Sequence, residues 1–452
     1  MKRKAEKYLE NWCRSPNRKP LIIRGARQTG KTSLVRIFAE NSNLELIELN
    51  FEENRRYKDV FNTNDVQVII QSLEIILDRK VDPKKSILFL DEIQAHPAAI
   101  AVLRYFYEKM PELPVIAAGS LLEFVLEDHS FSMPVGRIEF LYLNPMTFEE
   151  FLLADGAEQL TDYLNRYELD DEIPAFVHDS ALEKLKTYFL IGGMPEVVKV
   201  YTETGSLLEA DRAKYSIHNT FREDFNKFKG RQQLGNLQEV YDRLGMTVGR
   251  KIVYNSIFPD GKSSKTEKIL ALFENARLLY RAWLSSANGL PLKAELKRKA
   301  AKGIYIDIGL LLSLNGLSLD SLNNDDMFFS YSGELAEQFI GQHLLCFMPE
   351  YMKPEVYHWR REKSQSNAEI DYLVQSNNRI LPIEVKSGKT GTLKSLHLFM
   401  EQKNLQQAVR FSTNTPIVES AKSSLSGSDY SYTLISLPLY MAENLSRLLQ
   451  TL

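Results

Sequence analysis

The chain has 452 residues, 44% hydrophobic and 25% charged, with 56 Lys and Arg against 59 Asp and Glu for a formal net charge of -3. At roughly 150 residues per domain this length predicts about three domains. The balance excludes a disordered chain, a collagen-like repeat and a uniformly basic coat for nucleic acid, so any DNA contact must be a local patch.

Two cysteines far apart in sequence, Cys13 and Cys346, with no C-x-x-C pair and no zinc spacing, predict a reduced, cytoplasmic protein. The opening MKRKAEKYLENW is charged and then amphipathic, unlike a signal peptide. No run reaches the roughly 20 apolar residues of a membrane span, so no membrane partner is expected.

Residues 1–150 read as the first domain. Short apolar runs at Leu21–Arg24, Leu44–Phe51, Ser86–Leu90 and Pro114–Ser120 alternate with helical patterns, as βαβ units do. Their near-continuous hydrophobicity fits parallel strands buried on both faces. A fifth run, Arg137–Leu143, leads to Thr147 and Glu150, spaced as a helix capping box. Residues 151–230 read as a helical lid, broken at IGGMPEVV (Ile191–Val198). In residues 231–325 an amphipathic helix after FPDGKSS precedes two apolar runs around Trp283 and Tyr305, the order of a winged helix. NNDD (Asn323–Asp326) is the linker signal before a last α/β domain, 326–452, with a helix at about Gly333–Phe347 and a central hairpin.

Gly25, Ala26, Arg27, Gln28, Thr29, Gly30, Lys31 and Thr32 complete the pattern G-x-x-x-x-G-K-[ST] between a predicted strand and a helix. Glycines there let backbone N–H groups close on phosphate at a helix N-terminus, whose dipole favours anions. Lys31 would bridge β- and γ-phosphates and Thr32 would ligate Mg²⁺. SILFLDEIQ puts Asp91 and Glu92 at the end of an apolar strand, where open α/β sheets carry ligands. Asp91 is the candidate Mg²⁺ acid and Glu92 the candidate general base for water; capping of the next helix is the competing reading. Ser120 either orients water or γ-phosphate or is a turn serine. Arg137 is either an arginine finger or half of a surface ion pair.

GARQTGKT, LFLDEIQ, AAGS, VGRIEFLYLNPMTFEEFL and IGGMPEVV, with KGIYIDIGLL and PIEVKSG further on, resemble the bacterial and archaeal AAA-type P-loop ATPases whose C-terminal half is a domain of unknown function. The resemblance covers nearly the whole chain. It implies ATP binding and hydrolysis by an additional-strand ATPase; Mg²⁺ follows from Thr32 and Asp91, and an oligomer stays possible. Within it the nucleotide lysine falls on Lys31, the magnesium acid on Asp91 and the catalytic glutamate on Glu92. Gly192–Glu196 is a signature too, read physically as a helix break with Pro195 at a helix start.

The second constellation is EIDYLV-QSNNR-ILPIEVK. With SNNR as a symmetric hairpin loop, residues whose numbers sum to 755 face each other, so Asp371 opposes Glu384 and Glu369 opposes Lys386. Two opposed carboxylates need a proton or a metal between them, and Lys386 shares the Glu384 face. An Asp followed by Glu-x-Lys on the next strand suits a Mg²⁺-dependent phosphodiesterase and is similar to the restriction-endonuclease-like core. Asp371, Glu384 and Lys386 are then the catalytic candidates. Asp371, Glu384 and Glu337, the last on the preceding helix, are the metal candidates. A decorated hairpin with an ordinary Glu369–Lys386 ion pair is the competing reading. Lys262, Lys265 and Lys268, and the run Lys293–Lys302, are either contacts to DNA phosphates or solvated helix faces.

The expected fold class is therefore α/β: a parallel-sheet P-loop NTPase of the AAA type, a helical lid, a winged helix and a restriction-endonuclease-like α/β domain. The expected activity is Mg²⁺-dependent ATP hydrolysis, acting on DNA through the C-terminal nuclease-like domain. The alternative is a nucleotide-gated switch that hydrolyses slowly and cuts nothing.

Overall fold

The computed structural model describes residues 1–120, 122, 134, 136–228, 233–316, 325–361, 368–386, 393–423 and 430–450. The chain divides into two compact units. One holds Met1–Pro145 with the short segments Asn275–Arg277 and Pro349–Lys353, and the other holds the remainder.

The first unit is built on β1 (Leu21–Arg24), β2 (Glu45–Asn50), β3 (Ser86–Asp91), β4 (Val115–Ala118) and β5 (Glu139–Tyr142), all within the expected apolar runs except that β3 runs one residue further, to Asp91. They pair in parallel in the order β2-β3-β4-β1-β5. Successive side chains of a strand point to opposite faces. Leu21 and Ile23 accordingly join a core with α1 (Lys4–Arg14) and α2 (Lys31–Asn41), while Ile22 joins one with α3 (Val66–Leu77) and α4 (Ala98–Lys109). Every residue of β3 and β4 is buried, which is why those segments lack polar alternation. β4 lies between β1 and β3, the strand insertion that the resemblance implied.

The second unit begins with α5 (Phe148–Ala154). Its cap is the expected box: Thr147 Oγ1 accepts from the Glu150 N–H, and Glu150 Oε2 accepts from the Thr147 N–H at 3.0 Å. Helices α6 (Ala175–Ile191), α7 (Pro195–Thr204) and α8 (Leu207–Asp224) follow. The break between α6 and α7 is held by a residue far along the chain. Asp307 Oδ2 accepts from the Gly193 N–H at 2.6 Å, and Asp307 Oδ1 caps α10 (Ile308–Leu314) through the Leu310 N–H at 2.9 Å. A Cβ on Gly193 would meet the Met146 carbonyl oxygen at 1.9 Å, and one on Gly192 would meet Asp307 Oδ1 at 2.1 Å. These glycines are therefore packing residues.

Next in the chain come α9 (Ser263–Asn275), β6 (Leu279–Ser285), β7 (Leu296–Tyr305), α10 and α11 (Asp325–Leu344). The rest is β8 (Tyr357–Arg360), β9 (Glu369–Ser376), β10 (Arg379–Val385), α12 (Lys394–Lys403), β11 (Gln407–Ser412), β12 (Ile417–Ser423) and β13 (Tyr430–Pro438). One mixed sheet runs β12-β13-β11-β10-β9-β8-β6-β7.

The β6–β7 hairpin follows α9 as a wing would, but β6 also pairs in parallel with β8. It thus edges the same sheet as β9 and β10, because both edges of the mostly buried β6 find a partner, and residues 231–325 and 326–452 share one layer. The run Lys293–Lys302 is a short turn of helix and then β7, not a helix face. Of the expected linker NNDD, Asn323 and Asn324 lie outside the described residues and Asp325 already opens α11. Among the described residues, no helix is long and apolar enough to cross a membrane.

Candidate nucleotide site and C-terminal carboxylate cluster

The phosphate loop leaves β1 and enters α2 at the C-terminal edge of the parallel sheet. Gly30 is the N-cap of α2, with φ 88 and ψ 23, and Gln28 also has a positive φ of 65. The left-handed conformation at Gly30 costs an L side chain energy that glycine avoids. A Cβ on Gly25 would meet the Leu143 carbonyl oxygen at 2.4 Å, so the close packing of loop against backbone requires glycine there as well.

Lys31 is buried, and its Nζ donates to the carbonyl oxygens of Gly25 at 3.0 Å and Ala26 at 2.7 Å. Burial pulls its ammonium down to about 8, against the attraction of Glu92 and Asp91. Thr32 Oγ1 donates to Asp91 Oδ2 at 2.9 Å. Burial pushes Asp91 up to about 6, with the Thr32 hydrogen bond opposing it. A hydroxyl and a buried carboxylate side by side are a hard-oxygen donor pair that fits Mg²⁺, which would take up the negative charge burial disfavours. Glu92 has φ 50, and its Oε2 accepts from Gln94 Nε2 at 2.6 Å. A left-handed non-glycine residue is costly and concentrates at functional sites. Ser120 follows β4, and its buried hydroxyl has no partner among the described residues. Because β4 separates β1 from β3, Ser120 emerges between the phosphate loop and Asp91.

The second unit carries the carboxylates. β9 and β10 pair with numbers summing to 755, from Arg379 opposite Ser376 to Ile383 opposite Tyr372. Asn377 and Asn378, with φ 46 and 61, form the two-residue turn, both in the left-handed region that suits a twisted hairpin. The Glu369–Lys386 ion pair of the competing reading is replaced by two others. Lys386 Nζ lies 2.6 Å from Glu384 Oε1 on its own strand. Glu369 Oε1 lies 2.7 Å from Lys302 Nζ on β7, the last lysine of a run whose pattern reads as solvated or DNA-contacting.

Lys302 is buried and also lies 3.2 Å from Glu337 Oε2 and 3.3 Å from Asp371 Oδ1. Asp371 Oδ2 accepts from the Val385 N–H at 2.9 Å. Burial, reinforced by the charge of Asp371, holds both Glu337 and Glu384 well above the ordinary carboxylate range. The surrounding acids keep Lys302 charged in spite of its burial. Glu384 Oε2 and both ring nitrogens of His358 are buried without a hydrogen-bond partner. Among the described residues, no group of three or more His, Cys, Asp or Glu is arranged to hold a metal. Of the expected metal set Asp371, Glu384 and Glu337, two members, Asp371 and Glu337, lie within 3.3 Å of the Lys302 ammonium.

Residues 17–152 match the AAA domain family. Residues 182–321 and 332–440 match two domains of unknown function, DUF8612 and DUF4143. The replication factor C large subunit of Sulfolobus acidocaldarius is 30% identical over 126 residues, 26% of this chain. The match spans 27% of that relative's length. Solved structures similar to the chain include the Thermotoga maritima RuvB Holliday junction branch migration motor, at 16% identity and a TM-score of 0.30, covering 62% of this chain and 90% of that one. The Aeropyrum pernix ORC2 protein aligns at 10% identity and a TM-score of 0.34, covering 71% and 93%. The first unit thus carries an AAA-type domain of parallel-sheet P-loop NTPase fold.

Within the AAA domain, Arg137 is not at its own phosphate loop. It precedes Glu139, which pairs with Leu21 at the start of β1, so it lies at the sheet edge opposite the loop. Its Nε sits 3.0 Å from Glu108 Oε1 in a half-exposed ion pair. Two residues near the loop went unrecognised in the sequence. Arg3, just before α1, donates through Nη1 to the Thr29 carbonyl oxygen at 3.0 Å and through Nη2 to that of Asn144 at 2.8 Å. Arg277, 4.8 Å from the Tyr142 ring centroid, adds positive charge felt at Lys31. Neither belongs to a phosphate motif, and both reach the loop from distant sequence.

Proposed function

We propose that the chain binds ATP with Mg²⁺ and hydrolyses it, and that the bound nucleotide governs how the second unit engages a partner. The observation that carries the reading is the assembly of Lys31, Thr32 and Asp91 at one sheet edge, with Thr32 hydrogen-bonded to Asp91 at 2.9 Å. Thr32 and Asp91 would hold Mg²⁺, which when bound supplies positive charge to phosphate oxygens. Lys31 exchanges its two carbonyl partners for phosphate oxygens. The backbone N–H groups of Gly25–Thr32 cradle the phosphates at the start of α2. Glu92, steadied by Gln94, orients the attacking water and takes its proton, and Ser120 holds water or γ-phosphate from the neighbouring strand.

DNA is the partner this reading favours, through the local lysine patch that the near-neutral sequence still offers. The surface it assigns to phosphates is the start of α9, where Lys262 and Lys268 are exposed. A specific observation favours the second reading, a nucleotide-gated switch without nuclease action: Lys302 stands among the C-terminal acids. ATP turnover with and without duplex DNA separates the two. Stimulation lost in a Lys262→Glu, Lys268→Glu double variant supports action on DNA. Slow turnover indifferent to DNA supports the switch.

A further inference from the structure

The acids of the C-terminal unit come from three elements: Glu337 on α11, Glu369 and Asp371 on β9, and Glu384 on β10. An Asp facing a Glu-x-Lys strand with a helical Glu behind it is a donor set that ordinarily calls for a divalent cation. The residues present do not fit one. Lys302 arrives on β7, and its three N–H donors have three carboxylate acceptors, at 2.7, 3.2 and 3.3 Å. Asp371 has both oxygens engaged, one on Lys302 and one on the Val385 N–H. Glu384 gives one oxygen to Lys386, which leaves its Oε2 as a single orphaned acceptor. A divalent ion on Asp371 and Glu337 would lie against a buried ammonium in a region of low dielectric, where like charges repel strongly.

We propose that Lys302 is a built-in cation standing where a nuclease of this architecture would carry its metal, so that the cluster is a metal-independent ion network. The lysine joins β7 to α11 and β9 and balances acids that would otherwise repel one another. The C-terminal unit then keeps the shape of a nucleolytic site without metal-assisted cleavage. The proposal concerns the second unit alone and holds whether or not the phosphate loop turns over ATP.

The test is Mn²⁺ binding to the full-length, nucleotide-free chain, followed by the electron paramagnetic resonance signal of free Mn²⁺. Wild type and Asp371→Asn are expected to bind Mn²⁺ equally. Lys302→Met, checked for folding by circular dichroism, is expected to gain one Mn²⁺ per chain that adding Asp371→Asn removes. A wild-type site lost in Asp371→Asn overturns the proposal, and so does a folded Lys302→Met chain that gains none. If Lys302→Met does not fold, the comparison of wild type with Asp371→Asn decides alone: equal binding supports the proposal and an Asp371-dependent site overturns it.

Discussion

Thr32 and Asp91, 59 residues apart, meet through a 2.9 Å hydrogen bond from hydroxyl to carboxylate. The parallel pairing of β1 with β4 and β4 with β3 brings them together, because it aligns the C-terminal ends of the first and third strands. The bond joins the two side chains that the proposed function assigns to one cation.

A buried acid without its cation should weaken the fold. The carboxyl of Asp91 is raised from 3.8 to about 6, so the folded chain holds this proton more tightly than the unfolded one. Stability is therefore lost as pH rises from about 4 to about 6 and stays lost at pH 7. Asp91→Asn should raise the nucleotide-free melting temperature at pH 7 by about 2–4 °C, the effect of about 1 kcal/mol in a unit of this size. The same variant should abolish ATP turnover. Calorimetry and a phosphate-release assay read the two effects, and a lower melting temperature would contradict the electrostatic account.

Arg3 clamps the back of the phosphate loop through Thr29 and Asn144. Arg3→Ala should raise the KM for ATP several-fold with a smaller change in kcat, because the variant loosens a binding loop and removes no reacting group. A drop in kcat with KM unchanged would show that Arg3 acts on the chemistry instead.

Gly193 has no room for a side chain, since its Cβ would fall 1.9 Å from the Met146 carbonyl oxygen. Gly193→Ala should cost about 3 kcal/mol. Gly205→Ala, at φ +66 with nothing within 4 Å, should cost only about 1 kcal/mol. Urea unfolding of the two variants checks the contrast.

Arg137 lies at the sheet edge away from its own phosphate loop, so a role as an arginine finger would require a contact with a neighbouring chain. Mixing Arg137→Ala with Lys31→Ala chains should then restore part of the turnover that each lacks alone. Inactive Arg137→Ala protein that mixing fails to rescue would contradict action across a subunit contact.

What could be read from sequence follows the range of the interactions involved. The five strands of the first unit are short apolar runs between turn residues, and Gly25–Thr32 is a contiguous motif, so local pattern sufficed. The β9–β10 register was legible because the turn is two asparagines long and fixes every pair beyond it. Lys302 was not. It sits in KRKAAK, which is polar enough to read as surface, and it is buried only because β6 pairs with β8 and carries β7 into the same sheet. Arg3 was hidden for a similar reason, since its partner Asn144 lies 141 residues away.

ATP turnover by the full chain with Mg²⁺, compared among wild type, Lys31→Ala and Glu92→Gln, tests the nucleotide site most directly. Predicted are steady turnover in wild type, loss of binding and turnover in Lys31→Ala, and a Glu92→Gln chain that binds ATP but hydrolyses it at least about 100-fold more slowly. Wild-type protein that fails to hydrolyse ATP, or turnover that both variants retain, would contradict the proposed function.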